Sequence, residues 1–251
     1  MIGASLLCCY LIVINYFVHR APAIGSAIEQ QAIISQLSYL EIELHDGLAD
    51  RMQALFPEGS AFTNCLYGLA WCGAARNSND EELVSHAMLE ADWAYSQLDA
   101  PAVKQPFPVV IQPRYGAFYA GWRNYLLARI IELEKDKADE QLVAEFDSQS
   151  AELSFAYSAS ASPFISSYDG MAWPADNVVA MASLALHQRL RQMNHQEVID
   201  HWLWQVKERL DPDSCIPHAW DPVIDRVADR ARGSSQSLMN CFLPLIDSAF
   251  A

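Results

Sequence analysis

Residues 167–186, SYDGMAWPADNVVAMASLAL, place two aspartates and a tryptophan directly before a run of small and slender apolar side chains. Pro174 stands where that run begins, and proline suits the first turn of a helix because the N–H that it lacks has no partner there. The slender side chains after it let neighbouring helices approach closely. The stretch therefore predicts a polar and aromatic loop that leads into a closely surrounded helix.

Three further segments show the same order, a loop rich in proline, glycine or polar groups followed by a slender helix. They begin at Phe56, Gln112 and Ala228, so the four starts lie 56, 55 and 61 residues apart. More strongly charged amphipathic segments lie between them. The pattern predicts repeated helical hairpins, each with a slender inner helix and a charged outer one. In such an α/α toroid, the loops that enter the inner helices meet at one end of the ring.

We therefore expect an all-α fold, with an α/α toroid of helical hairpins over residues 24–251. No alternating strand pattern of useful length is present, apart from a short extended piece expected at residues 109–112. Only about four hairpins follow the N-terminal segment, so the ring is expected to be incomplete in this chain. Either the sequence is truncated at its C-terminal end, which we favour, or the ring is open. Helices are predicted at residues 26–55, 60–75, 81–98, 116–135, 138–158, 175–192, 195–210 and 234–247.

The composition limits the classes of function. Apolar residues make up 52% of the chain and charged residues 19%, which indicates a folded protein with a sizeable core. The formal net charge is −15. Such a charge repels the phosphate backbone, so nucleic acid is not an expected partner.

The first twenty residues differ from the rest of the chain. From residue 2 to residue 18 no side chain is charged, and aliphatic residues dominate. This length is at the short limit for crossing a bilayer, so residues 1–20 are predicted to form a membrane anchor. A cleaved signal peptide is the alternative, although no basic region precedes the run. Arg20 follows the segment, which favours a body on the cytoplasmic side of a bacterial inner membrane.

The acids of the opening stretch are the first candidates for catalysis. Asp169 and Asp176 lie seven residues apart in an aromatic setting, which suits an acid and a base, or a nucleophile, for cleaving a glycosidic bond. The alternative is that Asp176 only complements the helix dipole. His218 with Asp221 forms a further candidate pair for proton transfer, and a histidine without a catalytic role is the alternative there.

The candidates for substrate binding are mostly aromatic or cationic. Tyr115, Tyr119 and Trp122 lie at i, i+4 and i+7 on one helical stripe, which is typical of either a core or a binding surface. Arg123 beside them suits a carboxylate or phosphate ligand. The remaining candidates are Tyr168 and Trp173, which suit stacking on a sugar, and Arg232 and Ser234 at the head of a helix.

Cysteines and histidines do not form a recognisable metal motif. Cys65 and Cys72 are seven residues apart and are predicted to be small buried residues. No CxxC, HExxH, GxGxxG or Walker sequence occurs. We therefore expect neither a metal nor a cofactor.

Three stretches carry a resemblance to known proteins: YGAFYAGWRNYLLA, YDGMAWPADNVVAMASL and ARGSSQSL. Over residues 56–247 the chain resembles a group of bacterial membrane-associated α/α-toroid proteins. It is similar to the linalool dehydratase-isomerase family and, more distantly, to toroidal glycoside hydrolases. The glycosidases imply an acid/base role for Asp169 and Asp176. The linalool family implies an apolar cavity with acids, cysteines and tyrosines, and neither Cys65 nor Cys72 aligns with its cysteines.

Three functions follow as expectations. The first is a membrane-anchored toroid enzyme that hydrolyses, eliminates or epimerises a saccharide or glycan. The second is a lyase or isomerase that acts on a small apolar alcohol. The third is a non-catalytic glycan-binding or assembly subunit. Fold-level analogy carries much of this choice, so the groups that line the pocket must decide it.

Overall fold

The fold of the chain is known from a computed structural model, which describes residues 2–18, 25–168 and 170–250. Most of these residues are helical, which confirms the all-α prediction. The α-helices are α1 (Ile2–Val18), α2 (Ala27–His45), α3 (Leu48–Leu55), α4 (Gly59–Arg76), α5 (Glu81–Gln97), α6 (Pro101–Lys104), α7 (Gly116–Glu134), α8 (Glu140–Ser158), α9 (Pro174–Arg191), α10 (Gln196–Lys207), α11 (Gly233–Met239) and α12 (Leu243–Ile246). A 3₁₀ turn at Lys135–Lys137 follows α7.

Helix ends follow local chemistry. Asp80 caps α5 by accepting the N–H groups of Glu82 and Leu83. Pro174 begins α9, and Asp176 lies in its first turn, as predicted. The single helix predicted at residues 26–55 was wrong, because the chain turns at Gly47, whose φ of +82° is a conformation that favours glycine.

Three slender helices, α4, α7 and α9, form the centre of the structure. Helix α7 packs against both of the others, and most residues of α7 and α9 are buried. The more charged helices lie outside: α5 packs on α4 and α7, while α8 packs on α7 and α9. The predicted alternation of slender inner and charged outer helices therefore describes this part of the chain.

Gly121 marks the closest approach between α7 and α9. A Cβ placed on Gly121 would lie 2.8 Å from the Cβ of Ala180 and 3.1 Å from its backbone nitrogen. Gly73 on α4 has open space around the same position. We expect Gly121→Ala to be less stable than the matched variant Gly73→Ala by about 1–3 kcal/mol in urea unfolding. Equal stability of the two variants would contradict this close packing.

The C-terminal part differs from the predicted helix at residues 234–247. Two short helices, α11 and α12, replace it, and Pro244 in the first turn of α12 cannot donate a hydrogen bond to a preceding turn. A hairpin of two short antiparallel strands, β1 (Ala219–Asp221) and β2 (Arg226–Asp229), precedes them. Strands of three and four residues are too short to show a clear alternation in sequence. Residues 109–112 form turns and bends instead of the expected extended piece.

The hairpin holds the loop that enters α9. Trp220 and Ala172 exchange two backbone hydrogen bonds, of 2.9 and 3.1 Å. On the other side of this loop, Ala117 of α7 donates its N–H to the carbonyl oxygen of Ser166 at 2.9 Å. The loop is therefore fixed between the hairpin and the start of α7.

Among the described residues, no helix combines the length and the apolarity that a membrane span requires. The assignment of residues 1–20 as an anchor stays a prediction.

Candidate functional site

A cavity of about 300 Å³ lies where the entry segments of the central helices meet. Its polar lining consists of Glu58, Tyr168, Asp176, His218, Ser234 and Ser235. Its apolar walls include Phe56, Phe62, Phe118, Trp173 and Leu238. Each of the four repeated segments contributes at least one of these residues, so groups that are distant in sequence meet here.

Asp176 lies at the base of the cavity and is only 8% exposed. Trp122 directs its indole N–H toward Oδ1 of Asp176 over 3.4 Å, and Ser167 also donates a hydrogen bond to this carboxylate. Burial raises the pKa of Asp176 from 3.8 to about 7, because desolvation outweighs these two hydrogen bonds, and the charge of Glu58 adds to the rise. Near pH 7, a large fraction of the protein molecules therefore carry Asp176 in its protonated, uncharged form.

Glu58 is the second carboxylate of the cavity, and the sequence analysis did not identify it. It immediately precedes α4 and is half-buried. Tyr168 hydrogen-bonds to it. Burial raises the pKa of Tyr168, and the charges of Asp176 and Glu58 and this hydrogen bond add to the rise. The signal for Glu58 is its place in the entry loop of the first repeated segment, but the letters PEG at this point fit the end of the preceding helix equally well.

His218 lines the same cavity, but its hydrogen-bond partner differs from the predicted one. Its Nδ1 lies 2.8 Å from the hydroxyl of Ser235, and Nε2 has no hydrogen bond to any described residue. Burial lowers the pKa of His218, and the charge of Arg232 lowers it further. The predicted pairing with Asp221 was wrong, because that carboxylate accepts the backbone N–H groups of Val223 and Ile224 in the hairpin turn.

Asn177 holds the loop that carries Tyr168 and Trp173. Its Oδ1 accepts the hydroxyl of Tyr157 at 2.9 Å and the N–H of Ile165 at 3.0 Å. Its Nδ2 donates to the carbonyl oxygens of Ile165 and Trp173. Asn177 is fully buried, so these four bonds satisfy an amide that has no access to water.

Three of the predicted substrate-binding residues line a different depression, of about 250 Å³. These are Tyr115, Tyr119 and Arg123. Tyr115 precedes α7 directly, so the loop that enters α7 does not bring it into the cavity of Asp176, although the entry loops were expected to meet. Tyr119 points toward α5, where its hydroxyl donates to the carbonyl of Leu98. Phe118, one position earlier on α7, faces the cavity instead.

Arg123 is already neutralised by protein carboxylates. It forms ion pairs of 2.8 Å with Asp99 and 2.6 Å with Glu145, and its side chain is buried. It also lies over the ring of Tyr95. The structure therefore gives Arg123 a role in tying α7 to α5 and α8, in place of the expected ligand contact.

The other predicted residues divide between the cavity and its surroundings. Tyr168, Trp173, Ser234, Asp176 and His218 line the cavity. Trp122 is buried beneath it, where it packs against Phe62 and Phe242. Arg232 is paired with Asp229 and is not part of the lining. Asp169 lies outside the described residues.

Cys65 and Cys72 are buried on α4, as predicted. Burial raises the pKa of each thiol to about 12, so neither forms the thiolate that a nucleophile or a metal ligand requires.

Comparison of the chain with protein-family models and with curated proteins found no match. The resemblance to toroid families stays a prediction, and the chemistry of the cavity is the guide to function.

Proposed function

We propose that this chain is an enzyme that acts on a saccharide or glycan by carboxylate acid/base chemistry. The observation that carries the proposal is the pairing, in one cavity, of a carboxylic acid with a pKa of about 7 and a second, half-buried carboxylate. Carboxyl groups in such a pair of environments take different roles, one as the proton donor and one as the base or nucleophile. Asp169 lies outside the described residues, so its predicted pairing with Asp176 stays a prediction, and the proposal uses Glu58 with Asp176.

We further propose that the body has the α/α-toroid arrangement of helical hairpins. The support is the order of packing, in which α4, α7 and α9 are adjacent inside and α5 and α8 cover them outside. The entry segments of α4 and α9, the start of α7 through Phe118, and the segment of α11 all line the cavity. This placement is what the toroid arrangement requires of a shared site.

In the proposed reaction, Asp176 donates its proton to the oxygen of the leaving group. Glu58 acts on the opposite side, as the base that activates water or as the nucleophile. His218 is neutral near pH 7 because its pKa is lowered, and its Nε2 is available to accept a proton or a substrate hydroxyl. Tyr168 hydrogen-bonds to Glu58 and orients its carboxylate.

The aromatic wall supports a sugar as the substrate. Trp173 lines the cavity with its ring at 80° to that of Tyr168, which gives two surfaces at an angle. Aromatic faces stack on the apolar faces of sugar rings. The cavity volume is at the lower end of the ~300–1,000 Å³ range of small-molecule sites, which suits recognition of one or a few rings at a time.

A second candidate is a lyase or isomerase that acts on a small apolar alcohol. Phe56, Phe62, Phe118 and Leu238 line much of the cavity, and this apolar wall favours such a substrate. Asp176 would protonate the leaving hydroxyl, which departs as water, while Glu58 or His218 removes a proton from carbon. The ionisable groups are the same, so the substrate distinguishes the two functions.

The membrane anchor remains part of the proposal. Side chains of residues 7–16 and of Val18 on α1 are largely apolar and exposed, including Tyr10, Ile12 and Val13. A bilayer would cover this surface and hold the body at a bacterial inner membrane. Fractionation of the full chain from cells, with and without residues 1–20, tests this point.

The enzyme proposal is tested by incubating the protein with a panel of aryl glycosides, oligosaccharides and apolar alcohols. We expect saccharide turnover that falls as the pH rises above about 7, because Asp176 loses the proton that it must donate. Asp176→Asn and Glu58→Gln are expected to lower the rate by about 10²–10⁴-fold. Glu208→Gln, an exposed acid at the end of α10, is the matched control and should retain full activity.

Three outcomes would contradict the proposal. Turnover of alcohols alone would identify the lyase. Saccharide binding without turnover, lost in Trp173→Ala and retained in Trp204→Ala, would identify a binding subunit. Activity that survives both carboxylate substitutions would remove Glu58 and Asp176 from the mechanism.

A further inference from the structure

A second group of ionisable side chains joins α2 to α5, away from the cavity. Glu41 and His45 lie four residues apart on α2, and His86 and Glu90 lie four residues apart on α5. The two pairs cross, because His86 contacts Glu41 at 2.9 Å while His45 contacts Glu90 at 3.0 Å. Neighbours four apart share a helical face, so both helices direct these groups to the same point.

Three of these side chains place their donor atoms unusually close together. One donor atom each from Glu41, His86 and Glu90 lies within 4.8 Å of the other two. Two carboxylates at this distance repel each other unless a positive charge lies between them. An imidazole nitrogen beside two carboxylate oxygens is also a common set of ligands for a divalent metal.

Glu90 is the best candidate ligand of the group because it is buried, with only 8% of its surface exposed. Its oxygen Oε2 accepts the hydroxyl of Tyr67 at 2.7 Å and faces His45 at 3.0 Å. Oε1 receives no hydrogen bond from a residue that the structure describes. A buried carboxylate with one oxygen fixed and the other available has the arrangement of a metal ligand whose outer contacts orient it.

We propose that Glu41, His86 and Glu90 bind a divalent first-row transition metal, with Zn²⁺ as the expected ion. Three protein ligands and one water complete the tetrahedral coordination of Zn²⁺. Bonds to zinc are about 2.0–2.2 Å long, so the side chains move together slightly when the ion binds. His45 and Tyr67 position Glu90, and the stacking of His45 on Trp93, with 4.0 Å between ring centroids, fixes that histidine.

The consequence of this site is structural. Helix α2 buries only Leu37 and Leu44 as complete side chains, so its apolar attachment to the body is small. A metal that takes one ligand from α2 and two from α5 would hold the helix in place. None of the three ligands lines the cavity of the proposed enzyme, so the two sites are tested independently.

The test is a titration of tag-free full chain with ZnCl₂, followed by calorimetry and thermal unfolding. We expect saturable binding of one ion, and a rise in Tm of about 5–10 °C when free zinc exceeds Kd a hundredfold. His86→Gln and Glu90→Gln are expected to weaken binding at least a hundredfold, and His45→Gln about tenfold. Circular dichroism of each variant without metal verifies that it is folded.

Two controls separate this site from other zinc ligands. Glu197 and His201 form an exposed pair four residues apart on α10, and neither belongs to the group of converging donors. The double variant Glu197→Gln/His201→Gln should bind as tightly as wild type. Titration with Co²⁺ should give visible absorption without a thiolate charge-transfer band, because the exposed cysteines do not take part.

Other results would overturn the proposal. Absence of saturable binding at millimolar zinc would leave the group as two histidine–glutamate hydrogen bonds. A thiolate band with Co²⁺ would assign the binding to cysteine. Equal zinc affinity of the wild type and folded His86→Gln and Glu90→Gln variants would also exclude this site.

Discussion

Asp176→Asn is expected to stabilise the protein at pH 8 by about 4 kcal/mol, although it removes the proposed proton donor. Burial raises the pKa of this acid from 3.8 to about 7, and each unit of such a shift corresponds to about 1.4 kcal/mol. At pH 8 the folded protein must hold a buried negative charge, whereas the unfolded chain exposes it to water. Asparagine has nearly the same shape and can still accept the hydrogen bonds of Trp122 and Ser167.

The stabilisation by Asp176→Asn relative to wild type should increase as the pH rises. Between about pH 4 and pH 7 the folded state keeps the proton that the unfolded state loses, so the wild type loses stability as pH rises through this window. The difference between Asp176→Asn and wild type should therefore be small at pH 4 and full at pH 8. Urea unfolding at several pH values measures it, and Asp200→Asn on the exposed face of α10 is the matched control.

A contrary result has a clear meaning. If Asp176→Asn destabilises the protein equally at pH 4 and pH 8, then the carboxylate is held by contacts that asparagine cannot reproduce, and its raised pKa is not the dominant effect. If the gain appears but saccharide turnover is unaffected, then the acid is buried for another reason. The stability measurement thus tests the electrostatics separately from the catalysis.

Asn177→Ala is expected to destabilise the protein by about 3–5 kcal/mol. The amide makes four hydrogen bonds, to Tyr157, to both backbone groups of Ile165 and to the carbonyl of Trp173. Alanine leaves the N–H of Ile165 and the hydroxyl of Tyr157 without a partner in a region without water, and each unsatisfied group costs about 1–3 kcal/mol. A small cavity adds to the loss.

The loop that carries Tyr168 and Trp173 should loosen in the same variant. We therefore expect faster amide hydrogen exchange at residues 163–173, together with the lower urea midpoint. Asn79→Ala, at an exposed position before α5, is the matched control and should change stability by less than about 0.5 kcal/mol. A loss of stability without faster exchange in the loop would mean that Asn177 supports α9 and not the entry segment.

The sequence predicted the position of part of the site because that part depends on connectivity. Each slender helix must be entered by a loop, and helices packed side by side bring those loops to one end. Asp176, Trp173 and Ser234 were found in this way. Glu58 also lies in an entry loop. The sequence around it, however, fits the end of a helix equally well, and the local pattern alone does not distinguish an entry loop from a helix end.

The sequence pattern did not predict which neighbouring helices the side chains of α7 face. Helical spacing places Tyr115, Tyr119 and Trp122 on one stripe, but it does not fix which neighbour that stripe faces. The rotation of α7 is set by its packing on α4, α5 and α9, which depends on contacts such as Gly121 against Ala180. Arg123 was misinterpreted for a similar reason, since its partners Asp99 and Glu145 lie more than twenty residues away in the chain.

The walls of the cavity come from separate segments of the chain, some in loops and some on helices. An exchange confined to one segment, such as the loop around Phe56 or the short helix α11 with Leu238, would alter one wall while the central helices keep their packing. Evolution or an engineer can therefore change the choice of ligand one wall at a time. All such changes must keep Asp176, the acid of the cavity.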